Sequence, residues 1–139
     1  MPLITRDTIA LELLLVETAG PARGGTCVFL GTVRDAPEDG GVVEIAYEGY
    51  EAMIEAEFTT ILAEMAERWP RARAAARHRL GPVPLGAASV AIVVAAPHRD
   101  DAFTACRYLI EAVKTRLPIW KKERRRDGSA GWVTPGTPA

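Results

Sequence analysis

The sequence predicts a single α+β domain whose sheet is mostly antiparallel. Runs rich in β-branched residues alternate with two long segments of helical periodicity, and the short connections between strand-like runs favour hairpins. The chain has 139 residues, of which 48% are hydrophobic, so it is long enough and apolar enough to bury one core. We assign residues 1–134 to this domain and residues 135–139 to a loose tail.

The first half of the chain is predicted to hold two helices and two strands. Asp7 is placed to cap a short helix over residues 9–18, which the sequence AGPARGG ends. The run TCVFLGTVR predicts a strand over residues 26–34, DAPEDGG a polar loop, and the alternating VVEIAYE a second strand. A long helix follows over residues 50–69 and stops at Pro70. Its predicted buried face comprises Met53, Ile54, Phe58, Ile61, Leu62 and Met65.

The second half is predicted to hold two strands, a second long helix and a terminal hairpin. The strands ARAAARHRL and ASVAIVVAA, residues 72–80 and 88–96, are joined by GPVPLG. The helix covers residues 98–117 and is closed by Pro118. Its predicted buried face comprises Phe103, Cys106, Ile110, Val113 and Leu117. The final run IWKKERRR, DGSAG and WV predicts a C-terminal β-hairpin that turns at Asp127-Gly128.

The distribution of charge predicts a local anion site. The net charge is only −1, but residues 35–67 are strongly acidic, whereas residues 68–79 and 114–126 are basic. No recognition module or interleaved aromatic residues accompany the arginine triplet at residues 124–126, so we predict no nucleic acid partner.

Several classes of protein are not supported by the sequence. The N-terminus has no signal-peptide layout and no apolar run reaches the ~18 residues that cross a bilayer, so we expect a cytoplasmic protein with no membrane contact. Cys27 and Cys106 form no metal or redox motif and are predicted to be small core residues. His78 has no ligand partner nearby, so we expect no metal and no cofactor.

The stretch VKTRLPIWKKE combines cations with an apolar block. Lys114 is placed on the last turn of the second long helix and Lys121 on the following strand, with Pro118 forcing a turn between them. The two lysines can therefore face one pocket, with Ile119 and Trp120 as an apolar wall, and such lysines exchange protons near neutral pH. The alternative is a lysine-rich helix end stabilised by the helix dipole, followed by a charged edge strand.

Three further residues are candidates for binding an anion. His98 and Arg99 lie where the helix begins, and backbone N–H groups at a helix start attract anions. Alternatively, the two aspartates that follow them simply complement the helix N-terminus. Arg34 closes a predicted strand and can hold a phosphate through its guanidinium fork, although such an arginine is often only solvated.

The order of several motifs resembles one enzyme family. GGTCVFLGTVRD, YEGYEAMIEAEF, HRLGPVPLG, SVAIVVAAPHRDDAFTACRYLIEAVKTRLPIWKKE and DGSAGWV occur in the same order as in the large, catalytic subunits of molybdopterin synthases. The resemblance extends over residues 26–133, and its most specific parts are PHR followed by AF and AC, and then PIWKKE.

This resemblance implies a fold, an assembly and a reaction. The implied fold is an α/β-hammerhead, and the implied assembly is a homodimer core that binds a small ubiquitin-like subunit at each end to give a heterotetramer. The small subunit would carry a thiocarboxylate on its C-terminal Gly-Gly tail, and two sulfurs would be transferred in turn to cyclic pyranopterin monophosphate. The implied activity is that of a sulfurtransferase of molybdenum cofactor biosynthesis, without a metal in this subunit.

The resemblance also implies roles for individual residues. Lys114 and Lys121 match the two catalytic lysines, and His98 and Arg99 are expected to reach the pocket across the dimer interface. The residues expected to bind substrate are Arg34, His98, Arg99, Lys122, Glu123, Thr32 and Val33. Thr32 stands where many relatives have lysine. A different class remains open, a non-enzymatic binding module whose basic C-terminal segment docks an acidic partner or nucleic acid and whose small-subunit site is only an adaptor.

Overall fold

The structure is a computed structural model that describes residues 2–133. It contains three α-helices, α1 (Leu11–Thr18), α2 (Glu51–Arg68) and α3 (Arg99–Arg116), and a single 3₁₀ turn at Pro37–Asp39 within the described part. Both long helices were predicted from their periodicity, and they are confirmed to within two residues at each end. The predicted tail, residues 135–139, lies outside the described residues.

Between residues 2 and 133, eight strands form two four-stranded sheets. Sheet A has the order β1-β4-β6-β2 and sheet B the order β5-β3-β7-β8. Every pair is antiparallel except β1 with β4, so the predicted α+β class with mostly antiparallel pairing is confirmed. The strand bounds are Ile4–Thr5 (β1), Gly25–Thr32 (β2), Val42–Gly49 (β3), Arg73–Arg79 (β4), Gly81–Pro84 (β5), Ala88–Ala96 (β6), Ile119–Arg125 (β7) and Ala130–Val133 (β8).

The main core lies between the inner faces of the two sheets and helices α2 and α3. Alternate residues of the central strand β6 point to opposite faces of sheet A, and residues 89–96 are all buried. Val90, Ile92 and Val94 join the main core, whereas Ala91 and Val93 pack with Leu14 of α1 on the other face. A strand covered on both faces reads as a continuous apolar run, which is why ASVAIVVAA was recognisable as a strand.

The predicted start of α1 is wrong. The helix begins at Leu11, and its N-cap residue Ala10 makes no side-chain hydrogen bond. Asp7 lies before that point, and its backbone N–H donates to the Thr5 hydroxyl at 3.2 Å. The reason is that residues 4–5 pair with β4 as a short parallel strand, so the chain leaves the sheet at Asp7 instead of entering the helix there.

Two predicted core residues are on the surface. Met53 is 59% exposed and Phe103 is 60% exposed. In α3 the buried face is set by small residues next to the sheet, with Ala102 and Ala105 fully packed, and Phe103 lies about 100° away from Ala102 around the helix. The small side chains allow α3 to approach the sheet closely, and this phase of the helix turns the larger phenylalanine outwards.

The N-terminal strand is attached to α2 by one carboxylate. Glu55 accepts the backbone N–H groups of Leu3 and Ile4 at 2.8 and 3.0 Å. Leu3 is fully buried, so loss of this acceptor leaves a donor without a partner near the core. On the other side, β1 is held by backbone bonds to β4.

We predict that Glu55→Ala lowers the free energy of unfolding by about 2 kcal/mol, since each orphaned donor costs roughly 1–3 kcal/mol. Urea denaturation followed by circular dichroism measures this change. The control is Arg6→Ala, which removes an exposed ion pair with Glu51 in the same region and should change stability by less than about 1 kcal/mol. Equal effects of the two substitutions would contradict the anchoring role of Glu55.

Candidate active site

The two predicted catalytic lysines come from different elements that meet at one tight turn. Lys114 lies in the last turn of α3, and Lys121 is the third residue of β7. Between them, the Ile119 N–H donates to the Leu117 carbonyl at 2.8 Å, which closes a reversal around Pro118. Proline cannot continue the helix, so the position of the turn follows directly from the sequence.

A glycine allows this turn to pack against sheet B. Gly49 ends β3 and lies opposite Ile119 in the β3–β7 pair. A Cβ at Gly49 would lie 2.5 Å from the Pro118 carbonyl oxygen and 2.7 Å from the Ile54 side chain. No side chain fits at that distance, so the close approach of the two backbones requires glycine here.

Strand alternation decides which side chains lie beside Lys121. Ile119 and Glu123 share its face of β7 because residues two apart in a strand point the same way. Lys121 is paired directly with Tyr47 of β3, which is only 2% exposed. The Lys121 side chain therefore starts on the inner face of sheet B, next to the core.

Two neighbouring side chains point the other way. Trp120 lies on the opposite face of β7, where its ring contacts Tyr50 edge-on with the centroids 6.4 Å apart. The Lys122 Nζ lies over the Trp132 ring, 5.4 Å from its centroid. The structure therefore brings Ile119 and Glu123 to the lysine pair, but not Trp120 or Lys122.

The half-buried lysines affect one another's protonation. Burial lowers the pKa of the Lys114 amine below its ordinary value, and the positive charge of Lys121 lowers it further. Burial also lowers the pKa of Lys121, while the carboxylate of Glu123 acts in the opposite direction. Both amines therefore lose their protons at a lower pH than an exposed lysine does, which is the direction that favours proton transfer by an amine.

The predicted residues at the end of β2 lie at the lysine end of the domain. β6 leads into α3, and α3 packs back along β6 and β2, so the last turn of α3 is near the end of β2. Thr32 is exposed there, whereas Val33 is buried and donates its N–H to the Ala87 carbonyl at 3.0 Å. The exposed Arg34 guanidinium is 3.8 Å from the Glu38 carboxylate.

His98 and Arg99 lie at the opposite end of α3. His98 is the N-cap residue, Arg99 is the first residue of the helix, and both are exposed. With a rise of 1.5 Å per residue, Arg99 and Lys114 are about 22 Å apart along the helix. The start of β2 lies close to this end of α3, because a Cβ placed on Gly25 would be only 3.0 Å from the Arg99 backbone nitrogen. Within a single chain, the predicted anion-binding residues are therefore not brought together.

The cysteines are placed as predicted. Cys106 is 3% exposed, and Cys27 is partly buried and packs against the main core. Burial raises the pKa of the Cys106 thiol to about 12, with a further contribution from the adjacent Cys27. A thiol protonated at neutral pH is a poor nucleophile.

The arginine triplet at residues 124–126 is partly engaged in ion pairs within the fold. The Arg126 guanidinium is 2.6 Å from the Asp35 carboxylate, and that of Arg124 is 3.6 Å from the Glu44 carboxylate. The Arg124 pair joins β7 to β3, and the Arg126 pair joins the residue after β7 to the loop before β3.

Two polar residues next to the lysines were not predicted from the sequence. Tyr47 and His78 are 2% and 3% exposed, and their rings meet edge-on with the centroids 5.2 Å apart. Alternation in VVEIAYE places Tyr47 on the buried face of its strand, but no local pattern shows that His78, in the other sheet, faces it.

Within residues 2–133, no helix is long and apolar enough to span a membrane. In the same part of the chain, no group of three or more His, Cys, Asp or Glu residues is placed to hold a metal ion.

Comparison with known proteins identifies the family. The family model described as "MoaE protein" matches residues 4–116. A protein from Nostoc named "Molybdopterin synthase catalytic subunit" is 38% identical over 134 residues, which cover 96% of this chain and 81% of that protein. A protein of the same name from Bacillus subtilis is 38% identical over 130 residues, 94% of this chain and 82% of that protein.

Solved structures agree with this result. The crystal structure of a molybdopterin synthase from Staphylococcus aureus is similar with a TM-score of 0.89 and 35% identity, covering 94% of each chain. A MoaE protein from Burkholderia ambifaria is similar with a TM-score of 0.80 and 34% identity, covering 98% of this chain and 90% of that one. These matches show that the chain belongs to the MoaE protein family.

Proposed function

We propose that this protein is the catalytic subunit of a molybdopterin synthase. It would transfer sulfur from the C-terminal thiocarboxylate of a small ubiquitin-like subunit to cyclic pyranopterin monophosphate, forming the dithiolene of molybdopterin. The observation that carries the proposal is the pair of half-buried lysines, Lys114 and Lys121, held on two elements by the turn at Pro118. Membership of the MoaE family and the names of the relatives support the same reaction.

The two lysines are assigned different tasks. Lys114 is assigned to proton transfer or transient attack on the acyl group, because burial and the charge of Lys121 both favour its neutral amine. Lys121 is assigned to holding the thiocarboxylate and the negative charge that develops on it, and nearby Glu123 favours its charged form. The sulfur arrives on another protein, so neither cysteine takes part.

The substrate phosphate is assigned to Arg34 together with His98 and Arg99 of a second copy of the chain. Arg34 lies at the lysine end of the domain, and the other two lie about 22 Å away along α3 in the same protomer. A complete anion site therefore needs residues from two protomers. The substrate carries a phosphate, which arginine binds through charge-assisted hydrogen bonds.

The edge of sheet A offers a way to assemble this shared site. β2 is an edge strand, and Val28, Phe29 and Leu30 near its middle are 41%, 38% and 44% exposed. In a two-fold dimer in which β2 strands meet antiparallel, the start of one strand lies beside the end of the other. This arrangement brings His98 and Arg99 of one copy to the lysine end of its partner.

The small subunit is the second partner in this proposal, giving a heterotetramer around the homodimer. A solved structure from Helicobacter pylori, described as a complex of subunits 1 and 2 of a molybdopterin-converting factor, is similar in fold with a TM-score of 0.79 at 24% identity. The direct test is to mix this protein with a thiocarboxylated small subunit and the cyclic pterin, and to assay for dithiolene product. Absence of product with a competent small subunit would refute the proposed function.

We predict that arginine substitutions separate the two lysines. Lys114→Arg and Lys114→Ala should both lose at least about 100-fold in the rate of sulfur transfer, because arginine keeps the charge but does not release its proton. Lys121→Arg should keep measurable activity, whereas Lys121→Ala should lose about 10- to 100-fold, the value of one charge-assisted contact. Single-turnover kinetics with variants that bind the small subunit normally give these rates. If Lys114→Arg is active and Lys121→Arg is inactive, the roles assigned to the two lysines are the wrong way round.

We predict that Arg34→Ala weakens binding of the cyclic pterin by about 10- to 100-fold, the equivalent of one charge-assisted contact, and leaves binding of the small subunit unchanged. Isothermal titration calorimetry measures both affinities. Arg107→Ala is the control, since Arg107 is an exposed arginine that pairs with Glu111 on α3. Wild-type pterin affinity in Arg34→Ala would place the phosphate elsewhere.

We predict that two strongly impaired variants complement each other if the site is shared. Each homodimer of His98→Ala or Lys121→Ala has two defective sites, whereas a mixed dimer has one intact site and one doubly defective site. Statistical mixing should therefore restore about a quarter of the wild-type activity. The activity of chains unfolded and refolded together is compared with that of chains refolded separately. Equal activities would show that all site residues act within one protomer.

A further inference from the structure

A buried histidine lies beneath the lysine pair and has no part in the mechanism proposed above. His78 lies on β4 and is 3% exposed. Its ring meets that of Tyr47 edge-on, with the centroids 5.2 Å apart. Tyr47 is the direct cross-strand partner of Lys121, and such partners have Cβ atoms about 5 Å apart. Lys121, Tyr47 and His78 therefore form a continuous line from the candidate site into the core.

The hydrogen bonding of His78 defines its tautomer. Nδ1 is 3.0 Å from the backbone carbonyl oxygen of Arg79, and a carbonyl oxygen only accepts, so Nδ1 carries a proton and donates it. Burial, together with the charges of Lys114 and Lys121, lowers the pKa of His78 to about 4. At neutral pH the ring thus has one proton, on Nδ1, and Nε2 on the other side of the ring keeps its lone pair.

Both charged and neutral side chains surround the region of the His78 ring. The positive charges of Lys114 on α3 and Lys121 on β7 both lower the pKa of His78. Tyr47 on β3 is a neutral phenol whose pKa is raised by burial, and it hydrogen-bonds to Ser89 on β6. Glu123 on β7 supplies the negative charge that acts on both Tyr47 and Lys121. The buried side chains of Tyr47, His78 and Ser89 are therefore polar but uncharged at neutral pH.

A histidine is a costly choice for a position this deeply buried. Burying a polar ring is unfavourable compared with burying an apolar one of similar size, unless the polar atoms are used. Only Nδ1 is needed to satisfy the Arg79 carbonyl. A charged imidazolium at this position would repel both lysines, whereas a neutral ring with an unprotonated Nε2 stabilises a nearby ammonium group without adding positive charge.

We propose that His78 is a positioning residue for the lysine pair, in which the neutral imidazole, fixed by its bond to the Arg79 carbonyl, stabilises the protonated amines of Lys114 and Lys121. The neutral His78 ring thereby limits how strongly burial favours the neutral form of these two amines. This keeps one lysine charged for anion binding while the other exchanges protons. The consequence for catalysis rests on the proposed function, whereas the effect on the lysines does not.

The chain offers an unusually clear test, because its only lysines are Lys114, Lys121 and Lys122. Protein labelled with ¹³C and ¹⁵N in lysine gives three side-chain signals, each of which is titrated by NMR. Lys122 lies on the opposite face of β7, over Trp132, and serves as the internal control. The substitutions are His78→Phe, which keeps the ring and its contact with Tyr47, and His78→Gln, which keeps a donor and an acceptor.

In His78→Phe we expect the titration midpoints of Lys114 and Lys121 to fall by at least about half a pKa unit, a threefold loss of proton affinity, because the charged amines lose a polar neighbour. Lys122 should titrate as in the wild type, and His78→Gln should restore most of the shift. The acid limb of the pH–rate profile for sulfur transfer should move to lower pH by the same amount in His78→Phe only. Unchanged lysine midpoints in folded His78→Phe would overturn the proposal.

A measurement on the wild-type protein covers the case in which His78→Phe does not fold. ¹⁵N NMR of the imidazole should show a proton on Nδ1 and none on Nε2 from about pH 5 to pH 9, since the pKa of the ring is about 4. A protonated Nε2 anywhere in that range would refute the proposal. If the lysine midpoints shift as expected but no sulfur transfer is found, the inference about His78 stands and the proposed function fails.

Discussion

The reversal of the chain at Pro118 is the constraint on which the candidate site depends. It ends α3, starts β7 and places an amine on each side of the turn. The turn is held from both directions, since Leu117 is buried in the core and Gly49 lets β3 approach the Pro118 carbonyl. Long side chains such as lysine lose much rotamer freedom when they are fixed, and here packing of the backbone reduces how much of that ordering a ligand must supply.

Much of the fold could be predicted from local patterns, and the errors have physical causes. The long helices have enough turns for their periodicity to be unambiguous, and β6 reads as a continuous apolar run. By contrast, β1 has two residues and β5 four, and they become strands only because β4 and β3 provide hydrogen-bonding partners. Such strands carry no periodic signal of their own, and the wrong cap at Asp7 followed from missing β1.

The candidate site was predictable in part. The positions of Lys114 and Lys121 on two elements around Pro118 followed from the sequence, and alternation along β7 already separates Lys121 from Lys122. The length of α3 also implies that His98 lies far from Lys114 within one chain. What the sequence could not supply is the contact of Tyr47 with His78, since it depends on how the two sheets pack against each other.

The distribution of lysine and arginine has a chemical consequence. Every cationic side chain outside residues 114–122, apart from histidine, is an arginine, whose guanidinium does not react with activated acyl groups at physiological pH. The three side-chain amines are thus confined to one short segment, and two of them lie half-buried at the turn. Any activated acyl group that meets this protein therefore finds few side-chain amines with which to react. Acylation of a lysine side chain is thus limited to this one segment of the chain.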